Sequence, residues 1–176
     1  MRSGRGDRGR LDQGSANTDN PKKVLFVCTA NVCRSPMAEA IFNALAEEGG
    51  LAWRAASVGV AALEGEDITP NARAALEEVG IYTREHRARQ VSEAMLGEAD
   101  LVLAMGPRHV ATLRRRFGSL SERIYALPEY ALDAPSEEGI PDPYGQTMTA
   151  FRASVRQLLE HIEGLVKRLE REGALR

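Results

Sequence analysis

The sequence predicts one α/β domain: a four-stranded parallel sheet with helices on both faces. Two runs, Val24-Leu25-Phe26-Val27 and Leu101-Val102-Leu103-Ala104-Met105, are apolar without a break. Strands buried on both faces have this pattern, whereas half-exposed strands alternate. Segments with helical spacing lie between the apolar runs, and that alternation implies right-handed crossovers onto a parallel sheet. The chain has 176 residues and no internal repeat, which suits a single core.

Each element has its own signal. Val24 to Val27 follows Pro21-Lys22-Lys23 and gives way to a polar loop, Cys28 to Arg34. Ser35-Pro36 then opens a helix, with Ser35 as N-cap and Pro36 at the first helical position. Its apolar stripe is Met37, Ala40, Ile41, Ala44 and Leu45, and Gly49-Gly50 ends it. Ala55 to Val60 is the second strand. Thr69-Pro70 starts a helix through Val79, closed by Gly80, and Ser92 caps a short helix to Leu96. After the third strand, Leu101 to Met105, a helix from Pro107 to Phe117 stops at Gly118. Ile124 to Leu127 is the fourth strand, ended by Pro128. Glu129 to Gln146 carries Pro135, Gly139, Pro141, Pro143 and Gly145 and is predicted to be one long loop, a length usually tied to function. Met148 to Arg171 is an amphipathic helix whose apolar face is core packing, and Arg114-Arg115-Arg116 is a solvated helix face.

Hydrophobic residues make up 43% and charged residues 27%, the balance of a globular domain. A net charge of -2 gives no global attraction to nucleic acid or an anionic membrane, so neither is an expected partner. No apolar run approaches the length of a bilayer span. Residues 1–20 carry Arg2, Arg5, Arg8 and Arg10, with Leu11 as the large apolar side chain. This segment has no apolar core for secretion and too little surface to bury against chain entropy. It is expected to be a disordered extension of a cytoplasmic domain spanning 21–176. Two cysteines, Cys28 and Cys33, are too few for a disulfide scaffold. With no His nearby in sequence they make no zinc site, so neither metal nor cofactor is expected.

Sheets of this kind bind ligands at the carboxyl ends of their strands. Cys28 stands where the first strand ends and Arg34 where the first helix begins, with five residues between them. Such a loop can curl around a phosphate, its N–H groups converging and the helix N-terminus adding its positive end. The same field favours thiolate over thiol, and a thiolate is the nucleophile that phosphoryl attack requires. Arg34 can hold two equatorial oxygens bidentately, which Lys cannot. Within the loop, Asn31 tolerates left-handed dihedrals. Asp142, between Pro141 and Pro143, sits on a stiff backbone that can hold a carboxyl at a loop tip. A turn-capping role for Asp142 and a packing role for Cys33 are the alternatives from residue type alone.

The stretch Val24-Leu25-Phe26-Val27-Cys28-Thr29-Ala30-Asn31-Val32-Cys33-Arg34-Ser35-Pro36-Met37-Ala38-Glu39 resembles the signature of the low-molecular-weight protein tyrosine phosphatase family. Asp142-Pro143-Tyr144 resembles its general-acid motif. The family's bacterial branch includes protein arginine phosphatases. The resemblance implies Cys28 as nucleophile, Arg34 as phosphate clamp and Asp142 as proton donor, with Thr29, Ala30, Asn31, Val32, Cys33 and Ser35 completing the phosphate-binding loop. It implies that Asn31 holds the loop shape, tied by Ser35, Ser57 and His86, the last through His86-Arg87-Ala88-Arg89-Gln90. Val32 and Tyr144 would line the substrate slot, and Cys33 would be a redox partner of Cys28. Ala30 stands where many members have Gly, which would strain it if the position needs positive φ. A monomer acting on phosphorylated proteins is the implied form.

Phosphotyrosine and phosphoarginine are both long enough to reach a thiolate at the bottom of a slot, and phosphoserine is too short. Val32 is similar to the tyrosine branch, which has an apolar residue where the arginine branch has Thr. Leu101 to Met105 and Tyr125 to Tyr130 look like the arginine branch. Phosphotyrosine is the expected substrate and phosphoarginine the alternative. Thioredoxin-coupled arsenate reductases share the loop but need further downstream cysteines, and none follows Cys33. A cysteine phosphocarrier needs no leaving-group acid, and Asp142 offers one.

Overall fold

The structure, a computed structural model, describes residues 20–174. The expected disordered extension, Asn20 apart, lies outside the described residues. The chain runs β1 (Lys22–Cys28), α1 (Arg34–Glu48), β2 (Trp53–Gly59), α2 (Pro70–Glu77), α3 (Glu93–Glu98), β3 (Leu101–Ala104), α4 (Pro107–Arg116), a 3-10 turn (Gly118–Arg123), β4 (Ile124–Ala126), α5 (Leu127–Leu132) and α6 (Met148–Ala174).

The four strands are parallel, in the order β2-β1-β3-β4. β1 is interior, and its side chains alternate between two cores. Val24, Phe26 and Cys28 face α1, α2 and α6, with Phe26 edge-on to Phe42 at 5.9 Å between ring centroids. Leu25 and Val27 face the other way, with Leu96, Val110 and Leu113 of α3 and α4. Two-sided burial explains why β1 and β3 are unbroken apolar runs. The crossover after β1 leads to one side of the sheet and β3 lies on the other. The carboxyl end of β1 is therefore the switch point, where the flanking loops part and leave a crevice.

Several elements differ from the sequence expectation. α1 begins at Arg34, and no side chain caps its first amides. Ser35 lies inside the first turn, because its hydroxyl is drawn to the loop instead. The buried face of α1 is Met37, Ala38, Ile41, Phe42 and Ala46, while Ala40, Ala44 and Leu45 are only partly covered. The helix is turned to pack against both β2 and α6. β4 stops at Ala126, one residue short of the expected Leu127, because Leu127 already opens α5 and Pro128 sits in that helix's first turn, where its fixed φ suits a helix. The long loop therefore begins only at Asp133, in a left-handed conformation with φ 50. The run Arg114-Arg115-Arg116 at the end of α4 is exposed, as expected of a solvated face, but two of its members also bond to backbone. Arg114 Nη2 donates to the Ile124 carbonyl at 2.8 Å and Arg116 Nη1 to the Val60 carbonyl at 2.9 Å. Among the described residues no helix is long and apolar enough to cross a membrane.

Candidate active site

Cys28 ends β1, and the next five residues turn before Arg34 starts α1. Asn31 is fully buried with φ 59. Ala30 is not in the left-handed region, so that conformation falls on the neighbouring residue type that tolerates it. Asn31 Nδ2 donates to Ser35 Oγ at 2.8 Å and to Ser57 Oγ at 3.0 Å. Its Oδ1 accepts from the Arg89 amide at 2.9 Å. Its carbonyl lies 2.7 Å from His86 Nε2, which must carry the proton to make that bond. Gly59, at the end of β2, lets the loop close down: an added Cβ would strike the Thr29 carbonyl.

Cys28 Sγ lies 2.9 Å from Ser35 Oγ. Since Asn31 donates to that oxygen, the Ser35 proton is left for the sulfur or for the Val58 carbonyl at 3.3 Å. Cys28 and Cys33 are both free and buried. Burial pushes the Cys33 thiol up to about 11, against the lowering effect of its contact with Thr69 Oγ1 at 3.4 Å. Near neutrality Cys33 is therefore protonated and a poor nucleophile. Arg34 is 7% exposed. Its Nη1 donates to the Ile140 carbonyl at 3.1 Å, and its Nη2 lies 3.3 Å from Asp142 Oδ2. The other Asp142 oxygen accepts from the Tyr144 amide at 3.1 Å, a turn closed by its own side chain. Asp142 thus caps a turn and faces the guanidinium at once. The long loop is held in place by the Ile140 amide, which donates to the Met105 carbonyl at 2.8 Å. Gly139, with φ +74, allows this approach. Val32, Leu63 and Tyr144 border a groove that opens beside the loop.

A family model described as low molecular weight phosphotyrosine protein phosphatase matches residues 23–175. The chain belongs to that family. It is 35% identical to the protein-arginine-phosphatase of Bacillus subtilis (strain 168) over 85% of this chain and 97% of that one. It is also 35% identical to the low molecular weight protein-tyrosine-phosphatase Wzb of Salmonella typhi, over 78% and 87%. A solved YwlE arginine phosphatase, a cysteine-to-serine mutant with a phosphorylated active-site serine, superposes with a TM-score of 0.82 at 34% identity, covering 88% of this chain and 99% of that one. The low molecular weight protein tyrosine phosphatase from T. tengcongensis gives 0.79 at 38% identity, over 84% and 99%.

Two polar residues of this phosphatase escaped the sequence reasoning. Glu39 accepts from Ser57 Oγ at 2.6 Å, one step behind Asn31. Burial raises its carboxyl above the usual range, with the Ser57 bond and the charges of His86 and Arg89 opposing. The signal available was a carboxylate on the same face of α1 as Phe42 and Ala46. His109, in the first turn of α4, places Nε2 3.0 Å from Thr29 Oγ1. Its Nδ1 is buried without a partner, the one such side-chain atom among the described residues. The strand-end rule would have flagged His109 had it been applied to β3 as well as β1. Among the described residues no group of three or more His, Cys, Asp and Glu is arranged to hold a metal ion.

Burial, with a smaller push from Arg34 and an opposing pull from Asp142, lowers the His109 imidazole from 6.5 to about 4. The folded state therefore favours neutral His109. Its contribution to stability is complete above the unfolded value of about 6.5 and is lost as pH falls towards about 4. His109→Gln keeps a donor for Thr29 but cannot titrate. Urea midpoints of wild type and variant should converge, or cross, between pH 7.5 and pH 4.5; parallel lines would show that His109 does not titrate in the fold.

Proposed function

We propose that this phosphatase hydrolyses protein phosphotyrosine through a phosphocysteine on Cys28. The observation that carries the reading is a pair of contacts at the end of β1: Cys28 Sγ lies against Ser35 Oγ in the first turn of α1, and the guanidinium of the adjacent Arg34 faces the Asp142 carboxyl. The first amides of α1, which follow directly on the loop, carry no side-chain cap and suit a dianion. In the first step Cys28 attacks phosphorus in line while Asp142 protonates the departing phenolic oxygen. Arg34 and the amides hold the equatorial oxygens. In the second step Asp142 takes a proton from water, which attacks the phosphocysteine and releases phosphate and the Cys28 thiolate. Ser35 is placed to donate to that thiolate as it leaves.

Phosphotyrosine is favoured because Val32, Leu63 and Tyr144 form apolar walls beside the loop. A phenyl ring is at home there, whereas a guanidinium would need acceptors for its N–H groups. Phosphoarginine is the second reading, supported by the relatives named protein-arginine-phosphatase, matched at 35% and 32% identity over 97% and 99% of their own lengths.

Cys33 is the proposed redox partner. Hydrogen peroxide converts the Cys28 thiolate to a sulfenic acid, and the Cys33 thiol then displaces water to form a disulfide. Cys33→Ser should retain turnover but, after peroxide in enough excess to carry an unprotected sulfenic acid on to the sulfinic acid, lose the reactivation by dithiothreitol that wild type shows. Equal recovery in both would remove the partner role.

The function itself is tested by kcat/KM on phosphotyrosine and phosphoarginine peptides and on p-nitrophenyl phosphate. Cys28→Ser should be inactive on all three. Asp142→Ala should lose roughly 10²–10⁴ on phosphotyrosine peptide, the usual share of a general acid, and far less on p-nitrophenyl phosphate, whose leaving group needs little help. Equal losses would exclude Asp142 as the acid, and a tenfold preference for phosphoarginine would reverse the substrate assignment.

A further inference from the structure

A groove of about 620 Å³ runs away from the phosphate loop between the segment after β2 and the first turns of α2. One end is bounded by Val32, from the loop itself, and by Tyr144, two residues beyond Asp142. The groove is therefore continuous with the place where the phosphorylated side chain is proposed to enter. Its lining there is apolar. Leu63 and Tyr144 are 45% and 54% exposed, large apolar side chains left open to solvent. Ile68, Pro70 and Ala74 continue the apolar surface along α2. Nearer the loop, Glu66 adjoins Leu63 through its amide and Asp67 is neutralised by Arg73 at 2.7 Å. The far end is acidic: Glu77, the last residue of α2, is exposed and makes no ion pair among the described residues.

We propose that this groove is a secondary subsite for the substrate polypeptide beside its phosphorylated residue, taking an apolar side chain next to that residue and a Lys or Arg farther out. The inference rests on the phosphatase reading and adds a sequence preference to it. Continuity with the catalytic loop selects the substrate chain itself as the occupant. The order of the lining, apolar then carboxylate, selects the order of its side chains. From Pro70 to Glu77 the helix rises about 10 Å, which an extended peptide covers in about three residues. The basic side chain therefore falls about three or four positions from the phosphorylated one. p-Nitrophenyl phosphate enters the loop but is too short to reach α2.

The test compares p-nitrophenyl phosphate with phosphotyrosine peptides carrying Leu or Gly at the adjacent positions and Lys, Ser or Glu at the third and fourth, in both chain directions. Wild type should prefer the Leu/Lys peptide to the Gly/Ser peptide by roughly tenfold in kcat/KM, the worth of one buried apolar side chain plus an exposed ion pair. Ala74→Trp, which fills the groove, should erase the Leu preference while p-nitrophenyl phosphate turnover stays unchanged. Glu77→Lys should shift the preference at the outer position from Lys to Glu. Turnover of p-nitrophenyl phosphate with a flat peptide panel would overturn the subsite alone. Equal loss by Ala74→Trp on peptide and p-nitrophenyl phosphate would overturn it too. No turnover of p-nitrophenyl phosphate by wild type would overturn the phosphatase reading, and the subsite with it.

Discussion

Asn31 is the constraint around which the site is built. It is buried and left-handed, and its side-chain donors, its side-chain acceptor and its carbonyl are all paired. A buried polar group left unpaired costs about 1–3 kcal/mol, so these bonds define one loop shape rather than a family of shapes. The consequences reach outward. Ser35 is oriented so that its own proton is left for Cys28 or Val58, and α1 starts without a side-chain cap. His86 and Arg89 are drawn in from a segment far along the chain. Ser57 connects the network to Glu39. Gly59 supplies the close approach that lets β2 and the loop share this space.

The second half of the site is hung on the first. Arg34 reaches from the loop to the Ile140 carbonyl and the Asp142 carboxylate, while the Ile140 amide is tied to the end of β3. One guanidinium, almost fully buried, thus fixes where a distant carboxyl group sits. The two cysteines differ in their surroundings as well as in position. Cys33 is held in its thiol form by burial, whereas Cys28 lies against a hydroxyl at the crevice where the sheet changes direction. The parallel topology makes this economical, since a single strand end presents nucleophile, loop amides and helix terminus together.

Much of this is legible in the sequence, for physical reasons. β1 and β3 are unbroken apolar runs because both faces are buried. Proline and glycine punctuation marks the helices well because it acts through local dihedrals. The same local logic misplaces Ser35, whose residue type suits an N-cap but whose hydroxyl serves a tertiary contact. It also misses α5, because Pro128 reads as a strand stop but belongs to the first turn of a helix. The roles of Glu39 and His109, as distinct from their positions, were not legible for a related reason. Their roles come from packing between elements that are distant in sequence, which spacing within one element does not encode. Ala30 makes the converse point: the feared strain disappears once Asn31 carries the left-handed dihedral.

The central claim is that the loop exists, before substrate arrives, as a cup for a dianion with a reactive sulfur at its base. Alkylation by iodoacetate near pH 7, followed by peptide mass spectrometry, tests this most directly. The account predicts one carboxymethyl group, on Cys28 and not Cys33, added progressively more slowly as inorganic phosphate is raised. Modification of Cys33 first, or a Cys28 rate indifferent to phosphate, would contradict it.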